Sequence, residues 1–169
     1  TLESALAYLD LIDGGEVYVI EFIDCRYRAD YFRKMRVFFI DGRIYPVVHH
    51  IDQVWNVHGR NRGSVMARTE WMMDMERSFL EDPERHIGAG EYARLSSLHD
   101  LVRLDFFGVD FTVTDSGELL IYEMNPAMRH SFDHARLFPY LRPYLQRITA
   151  AFRDMVVRRA GRQAASPHP

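Results

Sequence analysis

Residues 104–128, LDFFGVDFTVTDSGELLIYEMNPAM, decide the fold of this chain because they combine two β-prone runs with a turn signal. Residues 109–114 and 118–124 are rich in Val, Phe, Thr, Leu, Ile and Tyr, which predicts an antiparallel hairpin across the polar DSG triplet. A two-residue turn at 116–117 then determines which residues face each other. Alternation assigns one face of the hairpin to apolar side chains: Val109, Phe111, Val113, Leu120, Tyr122 and Met124.

The other face of this hairpin carries oxygen ligands. On the predicted register Asp110 lies directly opposite Glu123, where Cβ atoms are only about 4.5–5.5 Å apart and two like charges destabilise a sheet. Asn125 shares the face of Glu123 because side chains alternate along a strand. Two carboxylates and an amide suit a hard cation such as Mg²⁺. The pattern therefore predicts a magnesium site; the alternative is a surface hairpin with a chance pair of acids.

A second hairpin is predicted over residues 31–50. The dipeptide Asp41-Gly42 separates two apolar runs, which is a strong signal for a two-residue turn. On the register that this turn sets, Lys34 lies opposite His49.

The first strand of that hairpin carries two clustered cations. Lys34 is the single lysine of a chain that has 21 basic residues, and Arg36 shares its strand face at a distance of about 7 Å. Lysine is a compact point charge that phosphate sites often use. The pair therefore predicts an anion site; the alternatives are one leftover surface lysine and solvated charges on an exposed face.

The rest of the chain completes an α+β fold, a mainly antiparallel sheet flanked by helices. The other predicted elements are a helix at 2–11, a strand at 16–23 buried on both faces, a helix from Ser64 to about residue 80, a helix at about 91–104 and a broken helix at 137–159. We expect one domain over residues 1–160 and a disordered tail at 161–169.

Composition limits the function classes. The 169 residues are 47% hydrophobic and 27% charged, which is typical of one ordinary globular domain. A net charge of −3 gives no general attraction for nucleic acid or anionic lipid. Cys25 is the single cysteine, which excludes an internal disulfide framework, and no apolar run approaches the ~20 residues of a membrane helix. We therefore expect a cytoplasmic protein with no nucleic-acid and no membrane partner.

The metal-ligand pattern resembles that of the ATP-grasp superfamily, in which an Asp on one strand is followed by Glu-x-Asn on the next. Here Asp110 precedes the EMN triplet at 123–125, with a spacing like that of the D-alanine–D-alanine ligase branch. The segment VYVIEFID looks like the adenine-binding hinge of that family, and RKMRVFFIDGRIYP resembles its basic strand. The segments YPVVHHIDQVWNVHG and EMNPAMRH are similar to ATP-grasp domains attached to helical repeats in bacterial proteins.

This resemblance implies an ATP-dependent and Mg²⁺-dependent ligase, which joins a small-molecule or peptide carboxylate to an amine or a related nucleophile through an acyl phosphate. The implied metal ligands are Asp110 and Asn125, each on one Mg²⁺, and a bridging Glu123. The implied ATP contacts are Glu21, Phe22, Ile23 and Asp24 at the hinge, with Lys34 and Arg36 on the phosphates. The implied acceptor pocket is lined by Arg129, His130 and His134.

Two departures from the family pattern follow from the sequence. The ligase branch has an Arg two residues before its metal Asp, where this chain has Gly108, and Arg103 is the candidate replacement as a catalytic residue. The half of the family fold that precedes the hinge has no counterpart in residues 1–169. We therefore expect the C-terminal half of a larger enzyme, inactive alone, with the rest of its parent polypeptide as a partner.

Other interpretations remain open from the sequence. One is a non-catalytic nucleotide-sensing or interaction module that keeps this fold, and another is a phosphotransferase without ligation. The histidines of the last loop are equally compatible with ordinary surface positions. A zinc site is disfavoured, because His49 and His50 point to opposite strand faces. The oligomeric state stays open.

Overall fold

The computed structural model describes residues 3, 20–28 and 30–165, so the predicted helix at 2–11, apart from residue 3, and half of the predicted strand at 16–23 lie outside this part. Its framework is a four-stranded antiparallel sheet in the order β2-β1-β3-β4. The strands are β1 (Phe32–Ile40), β2 (Arg43–Asp52), β3 (Phe106–Val113) and β4 (Leu119–Asn125). Helices flank the sheet, which confirms the predicted α+β class.

Among residues 30–165 five helices surround the sheet, and two of their predicted boundaries are wrong. They are α1 (Glu70–Glu81), α2 (Pro83–Ile87), α3 (Ala89–Val102), α4 (His134–Leu137) and α5 (Arg142–Ala165). Ser64 does not cap α1, because its hydroxyl donates to the carbonyl oxygen of Asn61 (2.9 Å) within a preceding stretch of 3₁₀ turns. The helix α5 continues to Ala165, into the predicted tail at 161–169, of which residues 166–169 lie outside the described part. None of the described helices combines the length and apolar character that a bilayer span requires.

The hairpin of β1 and β2 forms around the predicted turn but with a shifted register. Asp41 (φ 50°) and Gly42 (φ 76°) both have positive φ, as a type I′ turn requires. Beyond the turn a β-bulge between Arg36 and its neighbour inserts an extra residue, just after Pro46, which has no N–H for the ladder. Lys34 therefore faces His50, and the predicted pairing with His49 is wrong.

The hairpin of β3 and β4 places Asp110 opposite Glu123, as predicted, but its loop and its register differ from the prediction. The strands close at Val113 and Leu119 around a longer loop than the predicted two-residue turn, and a bulge after Asp110 restores the pairing. The bulge also reverses the sheet face on which the β4 residues before Tyr122 lie. The predicted apolar face was wrong for Leu120 and Tyr122; the apolar side chains of β4 that pack on the core below are Leu119 and Ile121.

The two sheet faces pack against different layers. On one face Phe38 and Ile40 form a core with the 3₁₀ turns, α1 and α5. On the other face Val37, Phe39 and Phe107 pack against Phe79 and α3. On β1, Lys34 and Arg36 share the parity of Phe38, and their side chains are 24% and 26% exposed. The partly open end of this face is where polar side chains of three strands meet.

Residues 20–26 form no strand, which corrects the predicted doubly buried strand over its described portion. Ile20, Phe22 and Ile23 are 84%, 61% and 50% exposed. In the sequence, their apolar character predicts a buried strand. A strand is stable only when a neighbour satisfies its backbone groups, however, and residues 20–26 pair with no described strand.

Candidate functional site

Asp110 is the centre of a charged cluster on β1 and β3. Its side chain is 3% exposed, because the strand face around it is covered by side chains of β1. Arg36 donates from Nε to Oδ1 (2.6 Å) and from Nη2 to Oδ2 (2.8 Å), and Lys34 Nζ lies 3.2 Å from Oδ2. The cluster therefore joins the predicted metal ligand directly to the predicted anion-binding pair.

The two cations keep Asp110 ionised. Burial by itself raises the pKa of Asp110. The hydrogen bond and charge of Arg36, together with Lys34, lower this pKa by more than burial raises it, so that it lies below its ordinary value. Two cations share this one buried carboxylate. The charge of Glu123 also acts on Arg36, so the cluster contains two cations and two acids.

Glu123 and Asn125 extend the cluster along β4. Asn125 Nδ2 donates to Glu123 Oε1 (2.9 Å), and Asn125 Oδ1 accepts from the backbone N–H of Ala127 (2.8 Å). Burial lowers the pKa of Arg36, but Asp110 and the charge of Glu123 raise it above its ordinary value. The predicted oxygen donors thus lie on one end of one sheet face, as an Mg²⁺ site requires. Among the described residues no three His, Cys, Asp or Glu side chains lie close enough together to hold a metal ion.

The loop after β4 is pressed against β3 at Gly108. A Cβ atom at Gly108 would lie 2.3 Å from Met128 Sδ and 2.7 Å from Met128 Cβ. Arg36 Nη1 also donates to the carbonyl oxygen of Arg129 (3.3 Å), which holds the same loop against the cluster. The absence of a side chain at residue 108 is therefore a packing requirement.

Replacing Gly108 by Ala is expected to lower the free energy of unfolding by about 1–3 kcal/mol, because the new methyl group overlaps Met128. Urea denaturation measures the change. The control is Gly90→Ala in α3, where a Cβ meets nothing within 4 Å and alanine is the better helix former. Equal stability of Gly108→Ala and the parent protein would show that Met128 does not pack as described.

The predicted acceptor residues line one cavity next to Arg36. Arg129, His130 and His134 surround about 140 Å³ of space. His130 lies 3.2 Å from the hydroxyl of Thr149, between ring nitrogen and oxygen, and burial lowers the pKa of both histidines. The structure therefore brings these three residues together beside the charged cluster.

A second cavity, of about 200 Å³, lies on the other side of the cluster, where Lys34 meets Trp55 and Tyr122. The segment that resembles the adenine hinge reaches this place. The ring of Phe22 lies 6.2 Å from that of Trp55, centroid to centroid, and Cys25 Sγ lies 3.0 Å from the Tyr122 hydroxyl. Nucleobases bind in aromatic cavities of this type.

Glu21, Ile23 and Asp24 of the same segment do not line the aromatic cavity. Glu21 and Ile23 are exposed, and the carboxylate of Asp24 accepts from Arg26 Nε (2.9 Å). Sequence reasoning missed Trp55, although a tryptophan within a polar segment is a signal, and it missed Tyr122 because the bulge in β4 is invisible to an alternation pattern.

Arg103 does not belong to the cluster. It lies at the opposite end of β1, in a cleft beside Asp41 and Asp105, where its Nε donates to the carbonyl oxygen of Asp100 (3.2 Å). The proposal that Arg103 replaces the family arginine is therefore not supported by its position. Asp110 obtains its guanidinium partner from Arg36 of the neighbouring strand instead.

Comparison of the chain with protein-family models, curated proteins and solved structures finds no match. The chemistry of the charged cluster and of its two cavities is therefore the basis for proposing a function.

Proposed function

We propose that this chain is the magnesium-dependent and nucleotide-binding C-terminal half of an ATP-grasp ligase. The observation that carries the proposal is the convergence of Asp110, Glu123 and Asn125 with Lys34 and Arg36 at one end of one sheet face. Oxygen ligands beside paired cations are what a metal-bound polyphosphate requires.

The oxygen ligands and the cations of the cluster would bind different groups of the metal-bound nucleotide. Asp110, Glu123 and Asn125 would hold Mg²⁺, which supplies charge neutralisation for a terminal phosphate when it is bound. Lys34 and Arg36, now paired with Asp110, would turn to phosphate oxygens as the metal takes their place on that carboxylate. The exchange conserves the charge balance around Asp110, since one divalent cation replaces two monovalent ones.

The two cavities would receive the other reacting parts. The base of the nucleotide fits the aromatic cavity of Lys34, Trp55 and Tyr122. A small-molecule or peptide carboxylate fits the cavity lined by Arg129, His130 and His134. In the proposed reaction a carboxylate oxygen of the acceptor bonds to the γ-phosphorus as ADP leaves, and an amine then forms an amide as phosphate leaves.

This activity is proposed for a larger polypeptide, because the resemblance implies that ATP is held between two halves of the fold. Ile20, Phe22 and Ile23 are exposed, and the ring of Phe22 lies beside Trp55 of the aromatic cavity, as expected for a segment that contacts another part of such an enzyme. The isolated chain is then expected to bind MgATP weakly.

A second candidate is a non-catalytic nucleotide-sensing or interaction module. It is favoured by one observation: both carboxylate oxygens of Asp110 are already satisfied by Arg36 and Lys34. The cluster is therefore charge-balanced without a metal ion, and a module that has lost the metal would still be stable.

Calorimetric titration of MgATP into the longest available form of the protein tests the proposal. Glu123→Gln is expected to weaken Mg²⁺-dependent binding by about tenfold or more, because it removes a charged metal ligand. Asn125→Ala is expected to act in the same direction.

Glu118→Gln is the matched control, since Glu118 is an acid of the same hairpin that hydrogen-bonds locally with Ser116. It should bind MgATP as the parent protein does. Mg²⁺-dependent binding that survives both Glu123→Gln and Asn125→Ala would overturn the metal assignment. Mg²⁺-dependent binding without ATP turnover in the presence of carboxylates and amines would favour the sensing module.

A further inference from the structure

A groove of about 710 Å³ lies between α5 and the turn of the first hairpin, and no role has been given to it so far. The hairpin supplies Asp41, Arg43 and Tyr45 to its wall. Asp41 follows the last residue of β1, whereas Lys34 lies near the start of that strand, about 20 Å away at the rise of an extended chain. The groove is therefore separate from the charged cluster.

The α5 side of the groove is a stripe along the helix. Arg147, Ala151, Asp154 and Arg158 line the groove, and their spacing of four, three and four residues places them on one helix face. From Arg147 to Arg158 the helix rises by about 16 Å. The groove is therefore elongated, and its length corresponds to about five residues of extended peptide.

Two arginines of the groove have no acidic partner within the described part of the chain. The exposed Arg43 side chain forms neither a hydrogen bond nor an ion pair there. The same holds for the exposed Arg147 side chain, whose guanidinium carbon lies 5.6 Å from the ring centroid of Tyr144. Because an arginine carries five N–H donors in a planar fork, both guanidinium groups are available to an anion.

The acids of the groove, in contrast, are already paired. Asp41 accepts from Nη2 of Arg158 (2.6 Å) and from Nη2 of Arg159 (3.1 Å), and these hydrogen bonds lower the pKa of Asp41. Asp154 pairs with Arg153 (3.2 Å). The groove and its network of ion pairs contain five arginines and three acids: Arg43, Arg147, Arg153, Arg158, Arg159, Asp41, Asp105 and Asp154. Two positive charges are therefore in excess.

This excess charge, in a chain of net charge −3, attracts an anionic partner. The planar fork of an arginine matches a carboxylate. We infer that the groove binds an extended acidic segment of a partner protein, whose Asp or Glu side chains pair with Arg43 and Arg147. Alternate side chains of an extended segment point to the same side, so acidic residues at every second position all face the groove.

A nucleic-acid strand matches this groove less well. Its phosphates repeat at every nucleotide, so some of them meet the carboxylates of Asp41 and Asp154. Single strands also bind by stacking on several aromatic side chains, and Tyr45 is the one aromatic residue among those that line the groove. A peptide can place uncharged residues opposite the two acids.

Fluorescence anisotropy with a labelled peptide tests the inference. The probe is a capped peptide of about seven residues in which Glu alternates with Gly. The comparison probes are the same peptide with Gln in place of Glu, and a single-stranded oligothymidylate of equal charge. We expect the Glu peptide to bind with a Kd on the order of 0.1 mM at low ionic strength, and about tenfold more weakly in about 0.5 M salt. The Gln peptide should show no binding, and the oligonucleotide should bind more weakly than the Glu peptide.

The double substitution of Arg43→Gln and Arg147→Gln is expected to weaken binding of the Glu peptide by about tenfold, because each exposed charge pair contributes a few-fold. Arg142→Gln is the matched control. Arg142 is an exposed arginine of the same helix that has no acidic partner in the described part and does not line the groove. Its substitution should change the affinity by less than about twofold.

An NMR titration of the parent protein locates the peptide without any substitution. The backbone resonances of Arg43, Ala150 and Ala151 should shift with the Glu peptide, whereas that of Asp110 should not. Neither Mg²⁺ nor nucleotide is added, so the outcome is independent of the magnesium titration.

The inference would be wrong if the Glu peptide did not bind, if the Gln peptide bound equally well, or if the oligonucleotide bound as tightly as the Glu peptide. An unchanged affinity in the double variant, or an equal loss in Arg142→Gln, would also contradict it.

Discussion

Replacing Glu76 by Ala is expected to lower the free energy of unfolding by about 3–5 kcal/mol, because it leaves a buried guanidinium without a counter-charge. Arg62 is 2% exposed and Glu76 is 0% exposed. Arg62 Nη1 donates to Glu76 Oε1 (2.8 Å), and its guanidinium lies 4.4 Å from the ring centroid of Phe138. Once the carboxylate is removed, the guanidinium remains buried without its charged partner.

Glu76 also joins separate elements of the fold. Its carboxylate accepts from the backbone N–H of His49 in β2 (2.9 Å) and from the hydroxyl of Tyr140 (2.7 Å). Burial raises the pKa of Tyr140, and the charge of Glu76 raises it further. The substitution therefore breaks contacts to β2, to the turn Gly59–Gly63 and to the turn Pro139–Leu141 at once.

Urea denaturation of Glu76→Ala, Arg62→Met and the double variant checks this expectation. The double variant should lose less stability than the sum of the single ones, since neither charge is then left alone. Asp74→Ala in the same helix is the control. Asp74 forms an exposed pair with Arg77 (2.6 Å), which should contribute less than about 1 kcal/mol. Strictly additive losses in the double variant would show that the buried pair is not coupled.

Acidification from pH 7 to pH 4 is expected to destabilise the protein through its buried histidines. Burial, with a smaller effect of the nearby Arg33 charge, lowers the pKa of His86 to about 4. Burial and then the charges of His86 and Arg33 lower the pKa of His49 well below its ordinary value. Both rings are therefore held neutral in the folded protein at pH values where they are protonated in the unfolded chain.

The direction of the effect follows from proton linkage. Between the ordinary histidine pKa of 6.5 and the folded value of about 4, the unfolded chain takes up a proton at residue 86 that the folded protein does not. Stability is therefore fully present above pH 6.5 and falls as the pH decreases through this window. Because His86 is partly exposed, we expect a loss of about 2 kcal/mol from this residue.

Asp110 acts in a different window. Its pKa is below the ordinary value of 3.8, so its contribution is present above that pH and is lost only at more acidic values. Urea denaturation at pH 7 and at pH 4.5 therefore isolates the histidines. The variant His86→Leu should show a smaller loss between these two pH values than the parent protein. Identical losses in the two proteins would contradict the role assigned to His86.

Much of the framework follows from local patterns in the sequence. Asp41-Gly42 predicts the first hairpin because positive φ at both positions suits few other residue pairs. The polar triplet Asp110, Glu123 and Asn125 stands out because acids are rare in an otherwise apolar hairpin. The opposition of Asp110 and Glu123 is correct in the structure, although the loop that produces it is longer than predicted.

The errors in strand register share one physical origin. Bulges in β2 and β4 shift the register by one residue, and a period-two pattern cannot reveal them. Lys34 therefore faces His50, and Tyr122 turns from the apolar face toward Lys34. The strand prediction for residues 20–26 was wrong for a related reason. The sequence shows the apolar character of this segment but does not show that it lacks a partner strand.

The sequence by itself determined the α+β class, the two hairpins and the residue types of the charged cluster, because propensity, alternation and side-chain type are properties of neighbouring residues. Only the tertiary structure decided which cations pair with Asp110, where Arg103 lies, and that His50 lines a cavity. Those facts depend on contacts between residues far apart in the chain, such as Arg36 and Asp110. Such contacts arise when strands and loops pack into one core, and packing leaves no local pattern in the sequence.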